Sequence, residues 1–362
     1  MSSLDFVVPH LAGFLISAIF VGLLASPLLS RLGLDKQSGI QKVHTRPTSR
    51  LGGVGIFFGL CVGIFFCKDA LPNDAILGLC LMIGSLPVFI SGLIEDLTHK
   101  VHPTTRLLMA ILSSLLILWI LRFGVQRTDI AIFDFLLQLP FFTTILTILV
   151  VSGFINAINI IDGFHGLASG CVMIMLLALA AISYNIEDWT ILRLCLLTCI
   201  VTLGFGIWNW PFGKIFLGDA GAYLLGFCVV ELGLLIPYRS PEISPMAPVL
   251  VGIYPLIETV FSMYRRKFVR THPLNHPDAL HLHTMLYRRV FAPKGKNISP
   301  RVKNLCNAKV SVVFWFLTAV PCSLAWVFAK NTTILLLCMV GFAGLYVFFY
   351  RRLVYFKIQN WK

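Results

Sequence analysis

Runs of roughly 20 mostly apolar residues recur along the chain, separated by short polar joints. A run of that length predicts a helix that crosses hydrocarbon, because every backbone N–H and C=O in lipid must be satisfied within its own segment. Eleven such segments are read near residues 6–30, 51–67, 75–94, 105–121, 138–155, 164–184, 190–209, 221–237, 246–264, 310–328 and 332–350. The fold class expected is all-α, a polytopic integral membrane helix bundle of about eleven transmembrane helices. The first segment carries Asp5 and no positive charge at its front, and its apolar run is too long for a secretory signal, so an uncleaved span is expected. No internal repeat, low-complexity tract or linker interrupts the pattern. One membrane domain over residues 1–362 is therefore expected.

Composition supports the pattern: 57% of the 362 residues are hydrophobic and only 12% are charged, where a soluble surface needs about a quarter. The basic residues then set an orientation. Most of the 29 Lys and Arg fall in 31–50, 95–106, 210–221, 265–309 and the tail from 351, which alternate spans place on one side. Lys and Arg are retained in short cytoplasmic loops, so the N-terminus is expected outside and the C-terminus in the cytoplasm. The net charge of +13 is mostly this topology signal, and it also suits anionic lipid and phosphorylated ligands. The ten cysteines form no CxxC pair and read as small packing residues. GxxxG at Gly55 and Gly59 reads as close helix packing.

Four polar clusters fall on the predicted cytoplasmic side: Glu95 and Asp96 in GLIEDL, the series Asn156, Asn159 and Asp162 in NAINIIDGFHG, Lys214 and Asp219 in PFGKIFLGDAGAYLLGF, and the histidines of NHPDALHLH. Every histidine except His10 lies on that side as well. A transport pathway would place acids and bases at several depths, whereas these gather at one interface. The chemistry they suggest is a metal-bound phosphate, since Mg2+ takes one or two carboxylates together with substrate phosphates. Asp96, Asp162 and Asp219 are candidate ligands or a general base. On a helix, Asn159 and Asp162 share one face. Each cluster also has a plainer reading: Asp96 as a span end, Asp162 as an N-cap, Asp219 with Gly218 and Gly221 as a turn, and His272, His276, His281 and His283 as solvated loop. HxH could bind Zn2+, but neither a cysteine nor a second His pair nearby completes a site.

The ordered motifs RPTSRLGG, GLIEDL, NAINIIDGFHGLASG, KIFLGDAGAYLLGF, PLIETVFSMYRR and HPDALHLHTMLYRR resemble the polyprenyl-phosphate N-acetylhexosamine-1-phosphate transferase family over nearly the whole chain. The resemblance implies an eleven-span bundle with a cytoplasmic active site, to which the loop 265–309 contributes. The implied reaction transfers a sugar 1-phosphate from a UDP-N-acetylhexosamine to undecaprenyl phosphate, releases UMP and uses Mg2+ or Mn2+. By resemblance, Glu95 and Asp96 match the family's paired acids, with Asp96 preparing the lipid phosphate, and Asn156, Asn159, Asp162 and Gly163 match its Asn-x-x-Asn-x-x-Asp-Gly. Asp219 matches a metal ligand, with Asp162 a second, and Phe216 matches an aromatic that stacks on uracil. His281 and His283 match a histidine motif that meets the diphosphate. Arg50, Arg106 and Lys214 are phosphate partners by charge and side. Glu258, two turns before Arg265 and Arg266, is expected as an ion-pair residue.

Five positions depart from the family pattern. Glu95 stands for the first aspartate, His165 for the second acid of DGxDG, Ala220 and Ala222 for frequent serines, and Thr284 for the last histidine of HxHH. His165 is expected to alter contacts to nucleotide or sugar. The partners expected are the UDP-sugar, the prenyl phosphate and the bilayer, with no nucleic acid and with a homodimer left open. The location implied is a bacterial inner membrane, at the first membrane step of a surface polysaccharide. Two alternatives stand beside this reading. One is the phospho-MurNAc-pentapeptide transferase of peptidoglycan synthesis, disfavoured by HLHT in place of a histidine triplet. The other is a transporter or flippase of lipid-linked sugars.

Overall fold

The computed structural model describes residues 3–35, 47–269, 280–295 and 298–355. Among these residues every regular element is a helix, apart from one isolated antiparallel bridge between Leu34 and Ser49. The helices are α1 (Ser3–Leu24), α2 (Gly52–Cys67), α3 (Pro72–Thr98), α4 (Pro103–Leu121), α5 (Ala131–Leu136), α6 (Pro140–Ile161) and α7 (Leu167–Asn185). They continue with α8 (Trp189–Asn209), α9 (Gly218–Arg239), α10 (Met246–Val251), α11 (Ile253–Tyr264), α12 (Leu282–Leu286), α13 (Pro300–Val327) and α14 (Thr332–Tyr355). Short π-helical turns follow α11 and α12 at Arg265–Val269 and Tyr287–Phe291.

Nine of the described helices are long and apolar enough to cross a membrane, so the protein is a polytopic helical membrane protein. The other two expected segments take different forms. α2 has 16 residues, and the stretch expected as one span over 246–264 is divided at Gly252 into α10 and α11. A side chain at Gly252 would come within 2.3 Å of the Phe154 ring, so the break lets Phe154 of α6 seat against bare backbone. Pro248 and Pro255 lack an amide N–H on either side of it, which weakens helix continuity at the same place. The expected boundary of α6 also moves. The helix runs on to Ile161, so Asn156 and Asn159 belong to its last turns instead of the joint beyond them.

α9 is the centre of the bundle: 89% of its most apolar window is buried, and α2, α3, α6, α7 and α8 all pack on it. Two glycines bring backbone against its first turn. A Cβ at Gly53 of α2 would lie 2.3 Å from the Gly221 nitrogen, and one at Gly92 of α3 would lie 2.5 Å from the Ala220 nitrogen. Gly55 and Gly59 pack α2 on α1, against Val21 and the Gly13 carbonyl, as the GxxxG spacing leads one to expect. The ten cysteines are unpaired.

Candidate active site

Chain alternation carries the C-terminal ends of α3, α6, α8 and α11 and the N-terminal ends of α2, α4, α7, α9 and α13 to one end of the bundle. The polar motifs lie there. Around residue 50 the backbone is fixed from both sides: Arg50 N–H donates to the Gly33 carbonyl at 2.9 Å, Phe216 N–H to Ser49 at 2.8 Å, and Gly52 N–H to Phe216 at 3.0 Å. Gly218 adopts φ +76°, and a side chain there would lie 2.0 Å from the Arg50 carbonyl oxygen. Only glycine fits this approach, which lays the Arg50 segment across the start of α9.

The first turn of a helix leaves N–H groups without intrahelical partners. In α9 no side chain of the preceding residue caps them. Asp96, from the last turns of α3, does so from the neighbouring helix. Its Oδ1 accepts the Asp219 N–H and its Oδ2 the Ala220 N–H, both at 2.9 Å. The Asp96 side chain is fully buried, and Arg50 Nε lies 3.2 Å from Oδ1. The Asp219 carboxylate projects from the same turn and takes two guanidiniums, Arg50 Nη2 at 2.5 Å on Oδ1 and Arg106 Nη1 on Oδ2. Burial works against the Arg50 charge, but Asp219 and Asp96 outweigh it and hold the guanidinium above its ordinary pKa.

Asp162 is the C-cap residue of α6, not the N-cap of the next helix, and it faces the field of Arg50 and Asp219. Burial pushes its carboxyl up to about 7, with Asp219 adding to the rise and Arg50 opposing it. Asn159 donates from Nδ2 to the Tyr223 hydroxyl at 3.2 Å, one turn beyond Asp219 on α9. Asp96, Asp162, Asp219, Arg50, Arg106 and Asn159 thus share one site.

Histidines 281 and 283 approach from the other side. A Cβ on Gly163, next to Asp162, would lie 3.3 Å from His283 Nε2. The two imidazoles stack with centroids 5.2 Å apart, and His283 Nδ1 lies 3.4 Å from the Tyr254 hydroxyl. The NHPDA part of that motif, with His272 and His276, lies outside the described residues, as does Arg46 of RPTSRLGG. Thr284 is buried in the same short turn.

Four further expected site residues make contacts with the surrounding scaffold. Asn156 donates to the Ser152 carbonyl of its own helix at 2.8 Å. Glu95 accepts the Val101 N–H at 2.8 Å and closes the α3–α4 turn, which sets the position of Arg106. The Lys214 ammonium sits 5.0 Å above the Trp208 ring. His165, expected to meet nucleotide or sugar, is buried and stacks on Phe216 with centroids 5.8 Å apart. Its Nδ1 donates to the Pro211 carbonyl at 3.1 Å, since a carbonyl can only accept. Gly213, at φ +59°, leaves the space its ring fills. The half-buried Phe216 is therefore backed by a ring that is itself pinned to the 210–217 loop.

α13 supplies the rest of that scaffold, which sequence reading did not foresee. Asn307 accepts the His165 N–H at 2.8 Å, Ser311 donates to the His165 carbonyl at 2.6 Å, and Trp315 Nε1 to the Gly166 carbonyl at 2.9 Å. Asn209 of α8 accepts the Gly166 N–H at 2.5 Å and donates to the Ile215 carbonyl at 2.7 Å, joining the two loops. Glu258, expected as an ion-pair residue, has a histidine as its partner. Its Oε1 meets His281 Nδ1 at 2.9 Å and the Leu282 N–H at 3.1 Å, while Arg265 turns to the Tyr350 hydroxyl and the Leu280 carbonyl. An aspartate–arginine cluster on a glycine-bound helix N-terminus, opposite a histidine turn, defines a polar site at one end of a membrane bundle.

Sequence comparison gives this site its class. The sequence profile of Glycosyl transferase family 4 matches residues 78–236. A probable undecaprenyl-phosphate N-acetylglucosaminyl 1-phosphate transferase of Bacillus subtilis (strain 168) is 30% identical over 284 residues, 75% of this chain and 76% of its own. Undecaprenyl-phosphate alpha-N-acetylglucosaminyl 1-phosphate transferases of Salmonella typhi and Yersinia pestis are 26% and 24% identical, covering 78% and 85% of this chain and 76% and 84% of theirs. The chain belongs to Glycosyl transferase family 4.

Proposed function

We propose that this protein transfers N-acetylglucosamine 1-phosphate from UDP-N-acetylglucosamine to undecaprenyl phosphate, releasing UMP, as the first membrane step of a surface polysaccharide. The observation that carries the reading is the Asp219 carboxylate held by Arg50 and Arg106 at the N-terminus of α9. Anionic phosphate is favoured at such a terminus. Each guanidinium has five N–H donors, which suits it to bridge a carboxylate and a phosphate. The sugar named in the relatives selects N-acetylglucosamine over the pentapeptide-bearing donor.

An oxygen of the lipid phosphate attacks the sugar-bearing phosphorus, the bond from that phosphorus to the bridging oxygen breaks, and UMP leaves with the electron pair. Positioning and charge neutralisation do most of the work in such a transfer. Arg50 and Arg106 hold phosphate oxygens, and His281 and His283 meet the diphosphate from the opposite side. Phe216, backed by His165, supports the uracil ring. The second ionisation of a phosphate monoester lies near pH 6, so the acceptor needs little help to lose its proton at neutral pH. Asp96, with both oxygens on backbone N–H groups, is assigned to holding α9, Arg50 and Asp219 in place.

The donor set also suits a hard divalent cation. No group of three or more Asp, Glu, His or Cys that could hold a metal converges among the described residues, but Mg2+ needs only one or two carboxylates beside phosphates and water. Each Asp219 oxygen accepts one arginine bond and keeps a second lone pair. Asp219 and Asp162 would hold Mg2+ or Mn2+, which supplies neutralisation of the charge that develops on the leaving UMP. The site faces the cytoplasm of a bacterial inner membrane, where soluble nucleotide meets a prenyl chain in the bilayer, and the whole chain acts as one membrane domain. The test is UMP release by the purified protein with undecaprenyl phosphate and a panel of UDP-sugars, with Mg2+ present or chelated. Release that needs lipid, metal and UDP-N-acetylglucosamine is expected; folded protein that releases no UMP from any donor would overturn the proposal.

A further inference from the structure

Glu258 carries a chemistry that the reaction above leaves unused. It sits on α11 and is fully buried. Two donors converge on one of its oxygens, His281 Nδ1 at 2.9 Å and the Leu282 N–H at 3.1 Å. His281 occupies the N-cap position of α12 in an extended conformation, with no side-chain cap of its own. Glu258 thus caps α12 from a neighbouring helix and fixes the imidazole that opens it. We propose that Glu258 is a positioning residue that holds the Nδ1 proton of His281 and presents Nε2 alone to the substrate diphosphate.

The physical reasons are three. A carboxylate only accepts, so the nitrogen facing it carries hydrogen and the tautomer is set. The second bond, to Leu282, fixes the carboxylate itself, so the ring cannot turn without breaking a buried pair. A negative charge at this distance also offsets positive charge on the ring when Nε2 donates to a phosphate oxygen. The inference rests on the reading of His281 as a diphosphate contact.

Glu258→Gln separates charge from shape, because an amide oxygen in the place of Oε1 can still accept both bonds. The measurement is UMP release by Glu258→Gln, Glu258→Ala, His281→Ala and the Glu258→Gln/His281→Ala double variant, with thermal unfolding of each. Glu258→Gln is expected to unfold like the parent, keep its KM for UDP-N-acetylglucosamine within about threefold and lose ~10–100-fold in kcat, the scale of a lost orienting partner. Against the His281→Ala background the same change should cost nothing further, because the two residues act as a unit. Parental kcat in Glu258→Gln, or an equal loss in both backgrounds, would overturn the proposal. Should Glu258→Ala fail to fold, the Gln pair decides. Should the parent protein release no UMP from any donor, the assigned reaction fails instead. The histidine tautomer, read by NMR on 15N-histidine protein, then settles Glu258: an Nδ1–H ring at His281 in the parent, kept in Glu258→Gln whose amide oxygen still accepts, supports it, and an Nε2–H ring in the parent contradicts it.

Discussion

Helix α3 carries one buried aspartate paired with arginine near each end, Asp74 and Asp96, and the two ends are built differently. At its N-terminal end Asp74 takes a fork from one arginine: Arg193 Nη2 lies 2.9 Å from Oδ1 and Nε reaches Oδ2. Here one carboxylate and one guanidinium satisfy each other. At the C-terminal end Asp96 spends its oxygens on the backbone of α9 and on Arg50, and Arg50 also shares Asp219 with Arg106. The first arrangement is a one-to-one pair of a single carboxylate with a single guanidinium. The second joins two arginines through one carboxylate, at the N-terminus of α9, and has both donors and lone pairs left for phosphate and metal. The same residue types therefore serve as a lock at one end and as a binding site at the other, and what differs is the stoichiometry of the pairing.

The largest effect should come from the Asp96 end. Asp219→Ala is expected to lower UMP release by about 10³-fold or more while the bundle still unfolds at a temperature close to the parent's, because Arg50 retains Asp96. A folded Asp219→Ala variant with near-parental turnover would erase the distinction between the ends. At the Asp74 end, Asp74→Asn or Arg193→Met should do the reverse. Each leaves a buried charge without its partner and should destabilise the protein by about 3–5 kcal/mol, with the turnover of the remaining folded molecules within about twofold of the parent. Thermal unfolding with activity normalised to folded protein checks this. The smallest effect is expected at His165→Asp. A carboxylate facing the Pro211 carbonyl loses the bond that pins the 210–217 loop, at a cost of about 1–2 kcal/mol, and KM for the UDP-sugar should rise roughly 5–30-fold. Unchanged KM across several UDP-sugars would place the Phe216 loop outside nucleotide binding.

The span pattern was legible because lipid leaves the backbone no alternative to helix, and each apolar run has a helical counterpart. Boundaries were less legible wherever polar residues face the interior. Asn156 and Asn159 read as the end of a span, yet α6 encloses them against Ser152 and Tyr223. The break at Gly252 depends on where Phe154 sits, a contact between residues nearly a hundred positions apart, so local pattern could not reveal it. Within the site, motif spacing brought out Asp96, Asp162, Asp219, Asn159, His281 and His283. It could not reveal that Asp96 and Glu258 cap helices to which they do not belong, since such a cap is set by tertiary packing. A buried acid with no local basic partner was the one available signal, and for Glu258 the nearby Arg265 and Arg266 masked it.

The central claim is that the phosphorus next to the sugar moves to the lipid. The most direct measurement is therefore to supply UDP-N-acetylglucosamine labelled with 32P in the sugar-bearing phosphate and to follow the label after reaction with undecaprenyl phosphate. Label in the lipid fraction, matched by equal amounts of unlabelled UMP, is the predicted result. Label left in UDP, as when a glycosyl group alone is transferred, or an unlabelled lipid fraction, would contradict it.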